Sequence, residues 1–254
     1  MLNLRTRRAK LAEANAQRRL SAPTERRIRA RLTREFNRAA GQAASTYPRW
    51  RPSMTKHHQN VERILQQELR SCALTAGRRA RSMLQKALPG WERKIASAEE
   101  LDLILVQWAD RHVAKRVTEI TRTTAKRIAS IVGEGLINHD PPSTIARDIR
   151  SRMPEFSPVR AETIARTETA AAVQTAQFEE MSNAQDELGV KMKKTWIATE
   201  DDRTRETHSE ADGQQVRLDD KFAVGDALLD FPSDPDGPPE EVINCRCAIG
   251  YDME

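Results

Sequence analysis

Apolar residues over the first 188 positions recur mostly at steps of three and four, the period of a helix face rather than a strand. From Ser21, read as an N-cap with Pro23 in the first turn, Ile28, Leu32 and Phe36 lie four apart, and Gly41 reads as the stop. Beyond Pro48 and Pro52 a second stripe joins Val61, Ile64, Leu65, Leu69, Cys72 and Ala76, closed by Pro89 and Gly90. The longest runs from about Ala98 to Leu136 through Leu101, Ile104, Leu105, Trp108, Val113, Val117, Ile120, Thr124, Ile128 and Ile131, with Gly133 and Gly135 marking its end. A short helix is expected after Pro141-Pro142-Ser143, and a separate one from Ser157-Pro158 to Gly189. After Gly189 the texture changes: KKTWIAT, QQVRL and NCRCAIGY carry the β-branched and aromatic content of short strands. GDALLDFPSDPDGPPEE, rich in Pro, Gly and Asp, is expected to be neither helix nor central strand. These patterns define an α+β chain: an elongated, mainly helical N-terminal region, then a small C-terminal domain of short strands and irregular loops packed on a helix. The expected division is a basic helical arm over 1–139 and a second domain over 140–254.

Composition sharpens this picture. Of 254 residues 31% are charged and 4% aromatic, which excludes an aromatic-rich core spanning the whole chain. No apolar run approaches the length of a membrane span, and the start, MLNLRTRRAK, lacks the apolar core of a signal peptide. Three cysteines, a close pair at Cys245 and Cys247 and one at Cys72, make no disulfide framework and suit a reducing compartment. Cys72 lies on an apolar stripe and reads as a small buried hydrophobe. The net charge of +5 conceals a gradient: +15 over residues 1–100, +1 over 101–195 and −11 over 196–254. The basic third implies an anionic partner, and Phe36, Tyr47, Trp50 and Trp91 are too sparse for base-specific reading. With narrow apolar stripes and dense charge, residues 1 to about 95 are expected to pack loosely without a partner, leaving a protease-resistant core that starts between about 95 and 155.

Candidate chemistry concentrates in the acidic third. TEDDRTRETHSEADGQQ packs Asp201, Asp202, Arg203, Arg205, His208, Asp212 and Gly213 into thirteen residues, and Asn244-Cys245-Arg246-Cys247 follows downstream. Two thiolates and an imidazole suit tetrahedral zinc, with an Asp or a water completing the set. The Cys-x-Cys spacing departs from the usual knuckle, and the alternative is a pair of small buried cysteines beneath a hydrogen-bonded histidine. Either reading requires His208 to lie beside Cys245 and Cys247. On the preceding helix Arg166 and Glu168 are too close in sequence to share a face, so their partners are expected elsewhere, with Asp201 or Asp202 and Arg203 or Arg205 the candidates. His57, His58, His112 and His139 lack ligand-type companions. No glycine-rich phosphate loop, Gly-x-Ser-x-Gly or His-Glu-x-x-His motif is present, so no catalytic residue is assigned.

The order of these motifs, Ile164-Ala165-Arg166-Thr167-Glu168, Trp196, Asp202-Arg203-Thr204-Arg205 with His208, Asp212-Gly213-Gln214, Phe222, a Pro-Asp loop and Asn244-Cys245-Arg246-Cys247, resembles the phage Mu protein F-like minor head proteins, also called head morphogenesis proteins. The resemblance covers about residues 140 to 250. It implies a structural virion component of tailed-phage head assembly, made in host cytoplasm and located in the virion head at the portal or capsid interior, with links to DNA packaging or ejection in some relatives. Its implied partners are the portal protein, the major capsid or scaffolding protein, and packaged DNA through the basic N-terminal third. The family motif maps onto Arg166, Thr167, Glu168, Asp202, Arg203, Arg205, His208, Asp212, Gly213, Asn244, Cys245 and Cys247. Some relatives carry an appended toxin or ADP-ribosyltransferase domain, which is not expected seven residues after Cys247. Two other classes stay open: a metal-dependent hydrolase or nuclease using His208, Cys245, Cys247 and an Asp, and a non-specific nucleic-acid-binding module.

Overall fold

The computed structural model describes residues 7–46, 54–88 and 97–253. Four long helices, α1 (Arg7–Thr46), α2 (Thr55–Ala87), α3 (Ala98–Ile137) and α4 (Pro142–Leu188), precede five short strands and two short helices. These are β1 (Met192–Ile197), α5 (Glu206–Glu210), β2 (Gln215–Arg217), β3 (Phe222–Val224), β4 (Ala227–Leu229), α6 (Pro239–Val242) and β5 (Ala248–Met253). The α+β class is therefore the observed one. No helix among the described residues is long and apolar enough to cross a membrane.

Several expected helix boundaries are not boundaries. α1 begins fourteen residues before Ser21, carries Pro23 inside it and runs through Gly41. α3 continues past Gly133 and Gly135, and the two helices expected on either side of Ser157-Pro158 are one element, α4. The reason is burial. Ile28, Leu32 and Phe36 beyond Pro23, and Ala161 and Ala165 beyond Pro158, are all at most 1% exposed, and such packing outweighs the one backbone bond a proline removes. Ser157, where the second of them was expected to begin, donates its hydroxyl to the Met153 carbonyl at 2.6 Å within the continuous helix. The breaks expected at Pro48, Pro52 and Pro89-Gly90, and the aromatics Tyr47, Trp50 and Trp91, lie outside the described residues.

The chain forms two compact units, and each long helix contributes a stretch to both. One unit comprises Arg26–Glu68 and Asp110–Ala165. Part of its core is a cluster of Ala40, Ala43, Ala44, Ile128, Ile131, Ile145, Ile149 and Met153. Small residues let α3 and α4 approach closely here: a Cβ on Gly135 would fall 2.5 Å from Cγ1 of Ile145. A polar network is buried within it. Glu35 accepts from Arg38 and Asn60 and bonds His57 Nδ1 at 2.9 Å, while His57 Nε2 meets Thr124. Burial opposes ionisation of Glu35, yet these donors outweigh it and hold its pKa down at about 2. His57 is thus a satisfied core histidine.

The other unit comprises Met1–Glu25, Leu69–Ala109 and Arg166–Glu254. Its antiparallel sheet has the order β2-β1-β5, with Trp196 opposite Ile249 and Lys194 opposite both Val216 and Tyr251. A separate hairpin pairs β3 with β4 around Gly225, whose φ of 56° suits a two-residue turn. Trp196, Phe222, Val224, Leu229, Ile249 and Tyr251 pack with Ala80, Leu84, Met181 and Ala184 into one core. Cys72 is 2% exposed, as its place on the stripe requires. The stretch expected to be neither helix nor central strand holds β4, which the dipeptide Gly225-Asp226 pairs with β3 alone and which is therefore no central strand, but Pro239 opens a helical turn there that was not expected. Cys245 and Cys247 precede β5 rather than lying on it.

Residues 7–25 are also integral to this unit rather than loosely attached. Gln17 donates to the Ile249 carbonyl at 2.6 Å, and Arg79 pairs with the 2%-exposed Glu13 at 2.6 Å. Ala14 packs on Ile197 and Ala248. That arrangement is at odds with a protease-resistant core starting only near residue 95.

Candidate functional site

The segment from Ile243 to Cys247 is an irregular stretch between α6 and β5, and side chains remote in sequence clamp its backbone. Asn244 adopts a left-handed φ of 61°, tolerable for Asn and rare for most other side chains. Its amide donates to Thr167 Oγ1 at 2.9 Å, and its Oδ1 accepts from Arg166 Nη1 at 2.6 Å. Arg205 Nη2 donates to the Ile243 carbonyl at 2.6 Å, and Thr199 Oγ1 to the Arg246 carbonyl at 2.6 Å. Asp201 receives Arg246 through both guanidinium nitrogens, and this hydrogen bond holds the Asp201 pKa well below the usual carboxylate range. Helix α4 and the loop between β1 and α5 thereby fix where Cys245 and Cys247 point.

They point at His208. That residue lies on α5 and is 2% exposed, and its Nδ1 stands 3.3 Å from Cys247 Sγ and 3.7 Å from Cys245 Sγ. Its other nitrogen, Nε2, meets Glu241 Oε2 at 2.9 Å, and the same carboxylate oxygen accepts from Thr207 at 3.0 Å. The Trp196 ring stands edge-on to the imidazole, 5.4 Å between centroids. Cys245 and Cys247 are 2% and 5% exposed. One ligand-type atom from each of the three residues lies within 4.8 Å of the others. The two sulfurs shift each other in opposite directions. The Cys247 thiol bonds to the Cys245 sulfur and, with His208 beside it, lowers the Cys245 pKa, while the same contact and burial push Cys247 up. Burial disfavours a charged His208, but the bond to Cys245 outweighs it and raises the imidazole pKa.

The remaining motif residues divide by role. Asp212 Oδ1 accepts from the Ala198 amide at 2.9 Å, and Gly213, at φ 77°, returns its own amide to the Trp196 carbonyl. Together they fasten the end of β1 to the turn after α5. Glu168 is buried on α4, one residue past Thr167. The contacts shown for Arg166 and for the 201–205 turn lead elsewhere than to the expected pairing. Asp201 is taken by Arg246, Arg166 reaches Glu25 at 3.4 Å besides Asn244, and Arg205 serves a carbonyl. The exposed Asp202 and Arg203 side chains form no ion pair among the described residues. Sequence reasoning did not single out Glu241, Arg246 or Thr199. Arg246 had a signal, since it sits between the two cysteines, whereas Glu241 lies within a run of acidic and proline residues that looks merely solvated.

Both cysteines also line a cleft of about 170 Å³ with Arg166, Thr169 and Gln174. There Thr169 Oγ1 and Gln174 Oε1 are buried without a protein hydrogen-bond partner.

Residues 126–250 match the family model described as Phage Mu protein F like protein, and that part of the chain belongs to this family. The match includes every residue of the cluster and its clamp except Glu25. Among curated proteins, the chain is similar to an NAD(+)--arginine ADP-ribosyltransferase EFV of Enterococcus faecalis, 32% identical over 147 residues, which is 58% of this chain and 30% of that protein. It is also similar to the uncharacterized protein YqbB of Bacillus subtilis, 34% identical over 99 residues, 38% of this chain and 32% of that protein. The matched region spans about a third of the length of each. No solved structure matches the chain.

Proposed function

We propose that this chain is a structural minor head protein of a tailed bacteriophage, acting in head assembly at the portal or the capsid interior. The observation that carries the reading is the family match, which falls on the residues that clamp one loop in place. Such a fastened loop is what a positioned structural part needs. The basic third supplies a surface for packaged DNA: Arg8, Arg19, Arg26 and Arg34 are exposed on α1, and backbone phosphates are the partner that arginines without stacking aromatics suit. Within the virion the protein then belongs in the head, in contact with portal, major capsid or scaffolding protein. Co-expression of the full chain with the phage's own portal and capsid proteins tests this. Copurification with the portal ring or with assembled heads is expected. Heads that form with normal yield and infectivity without the protein, together with no binding to either partner, would overturn it.

A further inference from the structure

We propose that His208 Nδ1, Cys245 Sγ and Cys247 Sγ bind one zinc ion, with a water in the fourth position and Glu241 orienting the imidazole from behind. The inference stands on the arrangement of side chains and is independent of the role in head assembly.

The donor set selects the metal. Two sulfurs and an imidazole are soft and borderline ligands, wrong for calcium or magnesium, and a cluster of iron and sulfide takes four Cys or His ligands, one more than converge here among the described residues. Two thiolates and a neutral histidine cancel the charge of a divalent ion, so a neutral group replaces polar atoms at a site where all three side chains are almost wholly buried. The single lone pair of that imidazole nitrogen faces two sulfurs, and a metal ion is a group that all three atoms can hold at once. Glu241 supplies an independent mark. It holds Nε2 at 2.9 Å, leaving Nδ1 toward the sulfurs, and a carboxylate on the far nitrogen is the usual outer partner of a metal-bound histidine. Among the described residues no fourth His, Cys, Asp or Glu joins the group. The fourth place therefore falls to solvent, on the side of the cleft where Thr169 and Gln174 offer unpartnered polar atoms. Three protein ligands with one open position define a site that can exchange its last ligand, in contrast to a closed structural knuckle.

Cobalt(II) titration of the reduced, metal-free, full-length protein tests the site. One equivalent should bind, with the charge-transfer absorption of cobalt thiolates and the strong visible bands of tetrahedral cobalt, and zinc should displace it one for one. Azide should shift the visible bands if the fourth position is open; bands that azide leaves unmoved would overturn that half of the proposal. Glu241→Gln keeps all three ligands and should weaken zinc binding by about 10- to 100-fold. An unchanged affinity would remove Glu241 from the site. Absence of the charge-transfer band, with iodoacetamide alkylating one of the pair at a rate that zinc does not slow, would overturn metal binding in favour of a thiol nucleophile paired with His208.

Discussion

Lys194 sits on the central strand with none of its surface exposed. Its ammonium lies 4.8 Å from the Phe178 ring centroid and 5.4 Å from that of Phe222, with no hydrogen-bond acceptor. Burial lowers its pKa from 10.5 to about 8, with only partial relief from the charge of Asp230. The unfolded chain thus holds this proton more tightly than the folded one, so between about pH 8 and 10.5 stability should rise with pH. Lys194→Met should leave stability at pH 7 within about 1 kcal/mol of wild type and abolish that rise, as thermal unfolding across the range will show. Glu35 runs the other way. Its folded pKa of about 2 lies below the ordinary 4.5, so its contribution is complete above about pH 4.5 and disappears as pH falls toward 2. Glu35→Gln should cost on the order of 3 kcal/mol at pH 7 and flatten acid unfolding in that window. Neither role was legible in the sequence. Lys194 follows another lysine on β1, where every residue but Lys193 is buried, and nothing in that pair says which lysine goes inside; Glu35 needs partners from α2 that no local pattern reveals.

Among elements, the helix stripes were readable and the helix ends were not. Spacing alone located most of the buried faces of α1, α2 and α3, since Ile28, Leu32, Val61, Leu65, Val113 and Val117 are all fully buried, whereas Ile104, placed on the same stripe of α3, is exposed. Pro23 and Pro158 looked like helix starts and Gly41 like a stop because breaker residues act on local propensity, whereas long packed faces decide whether a helix continues. The glycines offer a contrast that tests this. A Cβ on Gly41 meets nothing within 4 Å, so Gly41→Ala should stabilise by up to about 1 kcal/mol through propensity alone. Gly135→Ala gains the same propensity but drives a Cβ into Ile145 at 2.5 Å, and a net loss of roughly 1 to 2 kcal/mol is expected. Denaturant midpoints of the two variants should move in opposite directions. The candidate site was legible as a set of residue types but not as a mechanism of support: His208, Cys245 and Cys247 stood out by chemistry, while the carbonyls of Ile243 and Arg246 that anchor the loop leave no trace in sequence.

For the whole molecule, the first and last segments of the chain share a unit, which serial reading of charge and pattern concealed. Removing residues 1–25 strips Gln17 from Ile249 and Glu13 from Arg79 and exposes Ala14's partners Ile197 and Ala248. A protein lacking them should lose several kcal/mol in thermal unfolding, with the strands around β5 becoming protease-sensitive first. The glutamines have a further consequence. β5 is an edge strand, and its outward carbonyl at Ile249 is taken by Gln17, while Gln174 reaches the Cys247 carbonyl just before it at 3.4 Å. The opposite edge, β2, is three residues long and carries Arg217. The start of one border and the shortness of the other thus leave less of the open row of backbone groups that would let one copy zip onto the next. Gln17→Ala would lengthen the row that a second copy of the chain could pair with.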